Sequence, residues 1–381
     1  MNVQPITRAE RIRRGLGLLL GWLTLLAAAA CKDPTGSSTR AGLLWRAPLA
    51  ERDQRSISVP ATDGQRVYAI GGGLVALNAQ SGAVAWRSPL SKYAPINVVV
   101  RNGRVFTVEE FAYGFDAATG SELWRFKPDS EGALGESTAD EQSMYFGTGS
   151  HRVYALDAAT GTPRWSTDVG PDWKYRGIVM GVSVSGDTVY AAVRQYNAEN
   201  GYISTGWIFA LDRATGRALW SYRNGTGADI RSVSSAPTVA GRLLLASDLH
   251  GGSFFAVDRF TGTEVWRVNA APGYVGPRPA PRVVGEVAYL GSNDTQVYAV
   301  DLQTGRVIWK RKLPASISEF AVCGNRVFAV WPGLSVLDRA SGRVLYQADE
   351  ESTDYLTSGF AVHDDRVFVL GNRAAYAYSC S

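Results

Sequence analysis

Short runs of alternating apolar and polar positions recur along almost the whole chain. Residues 153–156 place apolar side chains on both faces of an extended segment, which favours a strand buried on both sides. Asp157 and Thr160 can accept or donate hydrogen bonds near the backbone, and Gly161 readily adopts positive φ, so a turn follows. A second strand then contains Trp165. The unit is predicted to be a β-hairpin.

This hairpin unit is repeated with the pattern [Asp/Asn]-x-x-[Thr/Ser]-Gly-x-x-x-[Trp/Tyr]. Its full copies end at Trp86, Trp124, Trp165, Trp220, Trp266, Trp309 and Tyr346. Residues 43–46 resemble the Trp-containing strand alone, and residues 374–378 resemble the strand that precedes the turn. Two half copies at the chain ends make an eighth repeat. We therefore predict an all-β, eight-bladed β-propeller of four-stranded antiparallel blades, closed by the N-terminal strand joining the C-terminal blade.

Residues 1–30 differ from the rest of the chain. A segment with four arginines precedes an apolar run over residues 16–30, which is too short for a typical membrane-spanning helix and is typical of a signal peptide. Four alanines then precede Cys31. The sequence resembles a bacterial lipoprotein box with Cys31 as the lipidated residue, although Ala28 replaces the usual Leu. The alternative is an ordinary Ala-x-Ala cleavage site that releases a soluble periplasmic protein.

The predicted division is a signal peptide at 1–30, a lipidated tether at 31–41 and one propeller domain at 42–381. By resemblance to the lipoprotein sorting rule of enteric bacteria, Lys32 after the cysteine favours the outer membrane, with the protein facing the periplasm. The whole chain has 39 basic and 35 acidic residues. The first 30 residues contain four arginines and Glu10, which leaves 35 basic and 34 acidic residues. The mature chain is therefore nearly neutral, and no nucleic-acid partner is predicted.

The repeat resembles the tryptophan-docking motif of the pyrroloquinoline-quinone (PQQ) enzyme repeat over nearly the whole chain after residue 41. This resemblance implies that one aromatic residue per repeat docks between neighbouring blades. These residues are Trp45, Trp86, Trp124, Trp165, Trp220, Trp266, Trp309 and Tyr346. Two branches share the architecture: quinone-dependent dehydrogenases, with PQQ and calcium in the central channel, and the propeller lipoprotein of the outer-membrane β-barrel assembly machinery, a non-catalytic scaffold.

The chain length and the lipoprotein box favour the scaffold branch. The resemblance implies that a quinone-dependent dehydrogenase would have a disulfide between adjacent cysteines beside the quinone, but the sequence has no adjacent cysteine pair. It also has no Cys-x-x-Cys-His site for attaching a haem. We therefore predict no enzyme activity, no catalytic residue, no cofactor and no metal ligand. The predicted partners are protein subunits of the outer-membrane assembly machinery, bound by a monomeric propeller, and the membrane through the N-terminal lipid. The alternative is a PQQ-dependent dehydrogenase-like or other ligand-binding propeller that uses the central channel.

Two segments are candidates for contact with a partner. The fourth blade has extra length over residues 194–207, which is predicted to be a long loop between its second and third strands. Its aromatic residues are Tyr196, Tyr202 and Trp207. Such a loop is either a binding element on a rigid scaffold or a surface loop that packs its own aromatics. Asp229 and Arg231, before the inner strand of the next blade, are the second candidate contact.

Cys323 and Cys380 are the remaining cysteines. Cys323 lies in the first turn of the seventh blade, and Cys380 follows the strand that closes the ring. These positions fall on the same face of neighbouring blades, so a disulfide that fastens the closure is one alternative in an oxidising periplasm. Two free thiols are the other, because neighbouring blades diverge toward the rim and a disulfide needs a Cα separation below about 7 Å.

Overall fold

The computed structural model separates the chain into two units, Met1–Ser38 and Thr39–Ser381. The structure describes residues of the second unit only. The described stretches are 42–49, 58–90, 96–129, 132, 135–170, 177–197, 203–225, 231–248, 252–270, 279–348, 354, 356 and 359–381. Every regular element in these stretches is a β-strand, and no helix there is long and apolar enough to cross a membrane.

The strands form eight four-stranded antiparallel sheets, which are the blades. Blade 1 contains β2 (Ala61–Thr62), β3 (Arg66–Ile70), β4 (Leu74–Asn78) and β5 (Val84–Ser88). Blade 2 contains β6 (Val98–Arg101), β7 (Arg104–Val108), β8 (Ala112–Asp116) and β9 (Glu122–Phe126). Blade 3 contains β10 (Thr138–Ala139), β11 (Ser143–Gly147), β12 (Arg152–Asp157) and β13 (Pro163–Asp168). Blade 4 contains β14 (Gly177–Ser185), β15 (Thr188–Asn197), β16 (Ile203–Asp212) and β17 (Ala218–Asn224).

The second half of the ring repeats this arrangement. Blade 5 contains β18 (Thr238–Ala240), β19 (Leu243–Ser247), β20 (Ser253–Asp258) and β21 (Glu264–Asn269). Blade 6 contains β22 (Arg282–Val284), β23 (Val287–Gly291), β24 (Gln296–Asp301) and β25 (Val307–Lys312). Blade 7 contains β26 (Glu319–Cys323), β27 (Arg326–Val330), β28 (Leu334–Asp338) and β29 (Val344–Ala348). Blade 8 contains β30 (Phe360–His363), β31 (Arg366–Leu370), β32 (Ala374–Ser379) and, from the N-terminus, β1 (Leu43–Pro48).

The first strands of the blades surround the centre, and each contacts the first strands of the blades on either side. The last place in blade 8 is filled by β1, which pairs antiparallel with β32 so that Trp45 lies opposite Ala377. This pairing closes the ring without a free half-blade. The predicted eight-bladed propeller, including its closure by the N-terminal strand, is confirmed.

The turn between the third and fourth strands follows from the repeat pattern. In blade 6, the carboxylate of Asp301 accepts hydrogen bonds from the amide and the hydroxyl of Thr304, at 2.9 and 2.6 Å. The hydroxyl bond, helped by the amide bond, lowers the pKa of Asp301 below its usual value. The amide of Gly305 then bonds the carbonyl of Asp301 at 2.9 Å. These bonds specify the hairpin locally, before any blade packs on another.

Seven tryptophans each link their own blade to the following blade around the ring, at the joints from blade 8 to blade 1 and onward to blade 7. Each indole N–H donates a hydrogen bond to the backbone carbonyl of the residue after the turn Asp or Asn in the following blade, at 2.8–3.2 Å. The pairs are Trp45–Ala79, Trp86–Ala117, Trp124–Ala158, Trp165–Arg213, Trp220–Arg259, Trp266–Leu302 and Trp309–Arg339. The apolar clusters of the described residues lie between consecutive blades, so the blades are stabilised mainly by their neighbours.

The turn glycine is required by both its backbone angle and its neighbour. Gly305 has φ of 70°, and a Cβ added to it would lie 2.8 Å from the indole of Trp266. Gly285 is a matched control in the same blade, because it has φ of 59° but no atom within 4 Å of an added Cβ.

We expect Gly305→Ala to lower the free energy of unfolding by more than Gly285→Ala. Gly285→Ala should cost only the strain of a positive φ, about 1–2 kcal/mol. Gly305→Ala adds displacement of the indole and loss of its hydrogen bond, for a total of about 3 kcal/mol. Chemical denaturation of the two variants would measure the difference. Equal losses would contradict the role of indole-on-glycine packing.

Candidate functional site

The two ends of the ring differ in the kind of segment they present. Because strands alternate in direction within a blade, the turns after the first and third strands lie at one end, which we call the turn face. The turns after the second strands and the connections between blades lie at the other end, which we call the connector face. The segments that differ in length from blade to blade lie on the connector face. This face is therefore the candidate partner-binding surface.

The predicted long loop at residues 194–207 is wrong. β15 and β16 have ten residues each, whereas the second strands of the other blades have five. Tyr196 pairs with Ser204, and Asn197 pairs with Ile203. The extra length is therefore a hairpin that extends beyond the ends of the other blades. Backbone pairing sustains these strands even though residues 194–197 have no apolar alternation.

Two of the predicted contact aromatics pack onto this hairpin. The phenol oxygen of Tyr196 accepts a hydrogen bond from Arg194 Nη2 at 2.7 Å, and the guanidinium lies 5.1 Å from the ring centre. The indole of Trp207 stacks on Phe209 and donates to Gln195 Oε1 at 3.1 Å. Trp207 thus supports the hairpin from within, while Tyr196 is half-buried near its outer end.

Arg231 lies against the same hairpin, in the connection from blade 4 to blade 5. Its carbonyl accepts a hydrogen bond from the amide of Gly206 at 2.6 Å, and its Nη1 contacts Ser253 Oγ at 3.4 Å. A Cβ on Gly206 would lie 2.7 Å from the carbonyl carbon of Ser232. The connection and β16 are therefore in direct backbone contact, and the structure brings the two predicted segments together.

A buried polar network fixes the next residue of the connection, Ser232. Asn224 Nδ2 donates to the Ser232 carbonyl at 3.1 Å, and the Ser232 amide donates to Asp248 Oδ1 at 3.0 Å. Arg267 organises these groups, since it bonds Asn224 Oδ1 at 3.0 Å and also pairs with Glu264. Burial, the largest single influence, acts to lower the pKa of Arg267, but the hydrogen bond and charge of Glu264 together with Tyr222 and Asp248 more than offset it, and the pKa is raised. The sequence did not reveal this network, because an Arg after the docking Trp is common to several repeats.

Three other predicted site residues lie outside the described residues. They are Cys31, Tyr202 and Asp229. The lipidation and contact roles assigned to them stay predictions.

A second cluster lies at the centre of the ring. Glu136 precedes β10 in blade 3 and Glu319 begins β26 in blade 7, so the two carboxylates approach from opposite blades. Arg282, the first residue of β22, places Nη2 3.8 Å from Glu319 Oε2. Burial raises the pKa of Glu319 to about 7; Arg282 opposes this shift, and Glu136 adds to it. Burial also raises the pKa of Glu136. The sequence signal was present, because both glutamates occupy the same position of their blades, but the signal needs the ring geometry to be interpreted.

The central cluster does not fit the calcium-bound quinone that the PQQ resemblance offers as an alternative. Calcium takes roughly six to eight oxygen ligands, several of them carboxylates. Within the stretches that the structure describes, no three Asp, Glu, His or Cys side chains are grouped so that they could hold a metal ion. Instead, the Arg282 guanidinium pairs with Glu319, and its positive charge opposes the rise in pKa of both glutamates. The donor set present is that of an internal ion-pair cluster.

Comparison with known protein families identifies the repeat. A family model described as "Outer membrane protein assembly factor BamB" matches residues 37–198, 110–248 and 149–330, in overlapping registers of the repeat. These matches span well over half of the chain. The chain belongs to the BamB family. The overlapping registers follow from the near-equivalence of the blades.

Individual relatives include both BamB proteins and quinoprotein enzymes. BamB of Yersinia pestis is 27% identical over 234 residues, which are 56% of this chain and 55% of that protein. BamB of Shewanella oneidensis is 25% identical over 311 residues, or 75% of this chain and 74% of that protein. The quinohemoprotein alcohol dehydrogenase ADH-IIG of Pseudomonas putida is 24% identical over 302 residues, or 72% of this chain but 39% of the enzyme. The chain thus spans about half of the first BamB relative and well under half of the enzyme.

Solved structures show the same fold at low sequence identity. BamB from Moraxella catarrhalis superposes with a TM-score of 0.65 at 16% identity, covering 88% of this chain and all of that one. The quinohemoprotein alcohol dehydrogenase from Comamonas testosteroni gives 0.70 at 14% identity, covering 89% of this chain and 76% of the enzyme. BamB-type and enzyme propellers are similarly close in backbone, so backbone similarity alone does not separate the two groups.

We expect Gly206→Ala to displace the blade 4–5 connection, because the added methyl group would overlap the Ser232 backbone. Hydrogen exchange of the Ser232 and Val233 amides should become at least tenfold faster. Thr205→Ala, one residue away in the same strand, is the matched control and should leave exchange unchanged. Unaltered protection in Gly206→Ala would show that the connection does not depend on this contact.

The central cluster predicts a pH dependence of stability. A carboxyl whose pKa is raised by folding stabilises the folded state at low pH, and this stabilisation is lost as the pH rises from about 4.5 through about 7. Glu319→Gln should remove this loss, so its free energy of unfolding should exceed that of the wild type at pH 8 by up to about 3 kcal/mol. The difference should shrink at pH 5. The exposed substitution Glu286→Gln is the control, and a parallel pH profile for Glu319→Gln and wild type would contradict the assignment.

Proposed function

We propose that this protein is a non-catalytic, lipid-anchored propeller that binds protein partners at the periplasmic side of the outer membrane during outer-membrane protein assembly. Membership of the BamB family is the observation that supports this proposal most directly. Lipidation of Cys31 would attach the ring to the membrane, and the tether at 31–41 would let it reach its partners. The expected partner is a subunit of the β-barrel assembly machinery.

The blade 4–5 region of the connector face is the proposed docking surface. Its extended hairpin and the connection at Arg231 are joined by a backbone contact at Gly206. Arg267 supports the connection through its hydrogen bonds to Asn224 and Ser253. A surface that is rigid before binding loses less conformational entropy when a partner docks. Tyr196, half-buried at the outer end of the hairpin, is the aromatic residue best placed to contact that partner.

Site-specific crosslinking in native envelopes tests both the partner and the face. A photoreactive residue at position 196 should capture an outer-membrane assembly subunit from the tagged full-length protein. The same residue at Gln303, exposed on the turn face of blade 6, is the matched control and should not. Cys31→Ser should move the protein from the membrane fraction to the soluble periplasm. Equal crosslinking at both positions would contradict the proposed face.

The similarity to quinohemoprotein alcohol dehydrogenase ADH-IIG keeps a channel ligand as a second candidate. Analysis of the tagged protein purified from native envelopes distinguishes the two functions. A quinone absorbance with stoichiometric calcium, and no captured assembly subunit, would overturn the scaffold proposal. The cluster of Glu136, Arg282 and Glu319 does not fit a calcium-bound quinone, and this favours the scaffold function.

A further inference from the structure

One joint of the ring departs from the repeat in three ways. Blade 7 ends with Tyr346 in place of the docking Trp, and a phenol has no indole N–H. Blade 8 has Ser379 where other blades have the turn Asp or Asn, and Ala41 where they have the turn Gly. The turn itself is divided between the two ends of the chain. The joint between blades 7 and 8 therefore lacks the indole hydrogen bond that links the other blades.

Cys380 occupies the place of the missing hydrogen-bond acceptor. Ser379 pairs with Arg366, just as Asp338 pairs with Arg326 in blade 7. The Cys380 amide donates to the carbonyl of Asp365 at 2.7 Å. Arg339, whose carbonyl accepts the indole bond of Trp309, makes the corresponding amide bond to Asn325 at 2.8 Å. Cys380 is thus the blade 8 counterpart of Arg339.

Cys323 occupies a position that forms side-chain links to the following blade elsewhere in the ring. It ends β26, three residues before Arg326. At the corresponding positions, Asp140 of blade 3 forms an ion pair with Arg213 of blade 4 at 3.2 Å. Ser185 of blade 4 accepts a hydrogen bond from Arg259 of blade 5 at 2.6 Å. Arg213 and Arg259 stand, like Cys380, directly after the turn position of their blades.

The two cysteines are joined in the structure, with a Cα separation of 5.4 Å, which lies within the range that a disulfide allows. Both residues are buried at 4% exposure, in the apolar cluster between blades 7 and 8 that half-buried Tyr346 also contacts. The covalent link spans 57 residues of sequence. Among the described residues, the other seven joints have an indole docking bond, and the disulfide joins blades 7 and 8, where Tyr346 takes the place of the indole.

We propose that the Cys323–Cys380 disulfide replaces the tryptophan-docking bond at the closure joint and makes closure of the ring dependent on oxidation. Its formation converts two thiols to one disulfide and releases two protons and two electrons. The electrons pass to the disulfide of a thiol–disulfide oxidoreductase, which leaves as a dithiol. The reduced ring retains β1–β32 pairing, the apolar contacts and the bond from Arg326 to the Ser379 carbonyl, but loses the covalent link between blades 7 and 8.

The first test compares oxidised and reduced full-length protein in mild detergent. Because both cysteines are buried, labelling is done on denatured protein: maleimide should not label Cys323 or Cys380 in protein denatured without reductant and should label both in protein denatured after reduction. Reduction, or Cys323→Ala/Cys380→Ala, should lower the Tm by about 5 °C. Hydrogen exchange should accelerate in β26 and β30 and remain unchanged in β10 and β14, at the joint of blades 3 and 4. Labelling of both thiols without reduction, or unchanged Tm and exchange, would overturn the proposal.

The second test asks whether the disulfide substitutes for the indole or is simply an added crosslink. In the Cys323→Ala/Cys380→Ala background, Tyr346→Trp should supply an indole N–H to the carbonyl of residue 380 and recover about 2 °C of the Tm. Tyr346→Phe is the matched control, since it has no donor and should recover nothing. A destabilised cysteine-free protein that Tyr346→Trp fails to improve, while it still folds, would overturn the substitution.

Discussion

The packing of one indole on one glycine between neighbouring blades is the contact on which the rest of the structure depends. A four-stranded blade has two apolar faces and cannot bury either alone, so its stability comes from its neighbours. The indole fixes how two blades meet, because its ring fills the space above a glycine such as Gly305 and its N–H bonds a carbonyl beside that glycine. Repeating this contact sets a constant angle between blades, and a constant angle closes into a ring.

The repeat made the ring predictable, because the turn chemistry and the docking aromatic both lie within one short stretch of sequence. The hairpin at blade 4 was not predictable in the same way. Residues 194–197 are polar or aromatic without alternation, and their strand is sustained by backbone pairing and by local contacts such as that of Arg194 with Tyr196. An alternating apolar pattern arises where a strand buries a face, and a hairpin that projects beyond the ring has few buried positions to create such a pattern.

The central cluster illustrates a second limit of sequence reasoning. Glu136 and Glu319 are separated by half of the ring in sequence, and each alone resembles a solvated acidic residue at the start of a strand. Only closure brings them together near Arg282, where removal from water raises the pKa of both carboxyls. Their interaction is therefore a property of the closed ring, and it has no counterpart in an isolated blade.

The two faces of the ring are under different physical constraints, which explains where function can vary. On the turn face, Asp, Thr and Gly are committed to the hairpin turn, and the adjacent carbonyl is committed to the indole. Insertions there would disturb the contact between blades. On the connector face, the only requirement is that each connection reaches the next inner strand, so blade 4 can lengthen its hairpin without altering either joint. A buried network around Arg267 then turns a variable connection into a fixed surface. A propeller whose turn face is constrained by these contacts can therefore present different binding surfaces on its connector face.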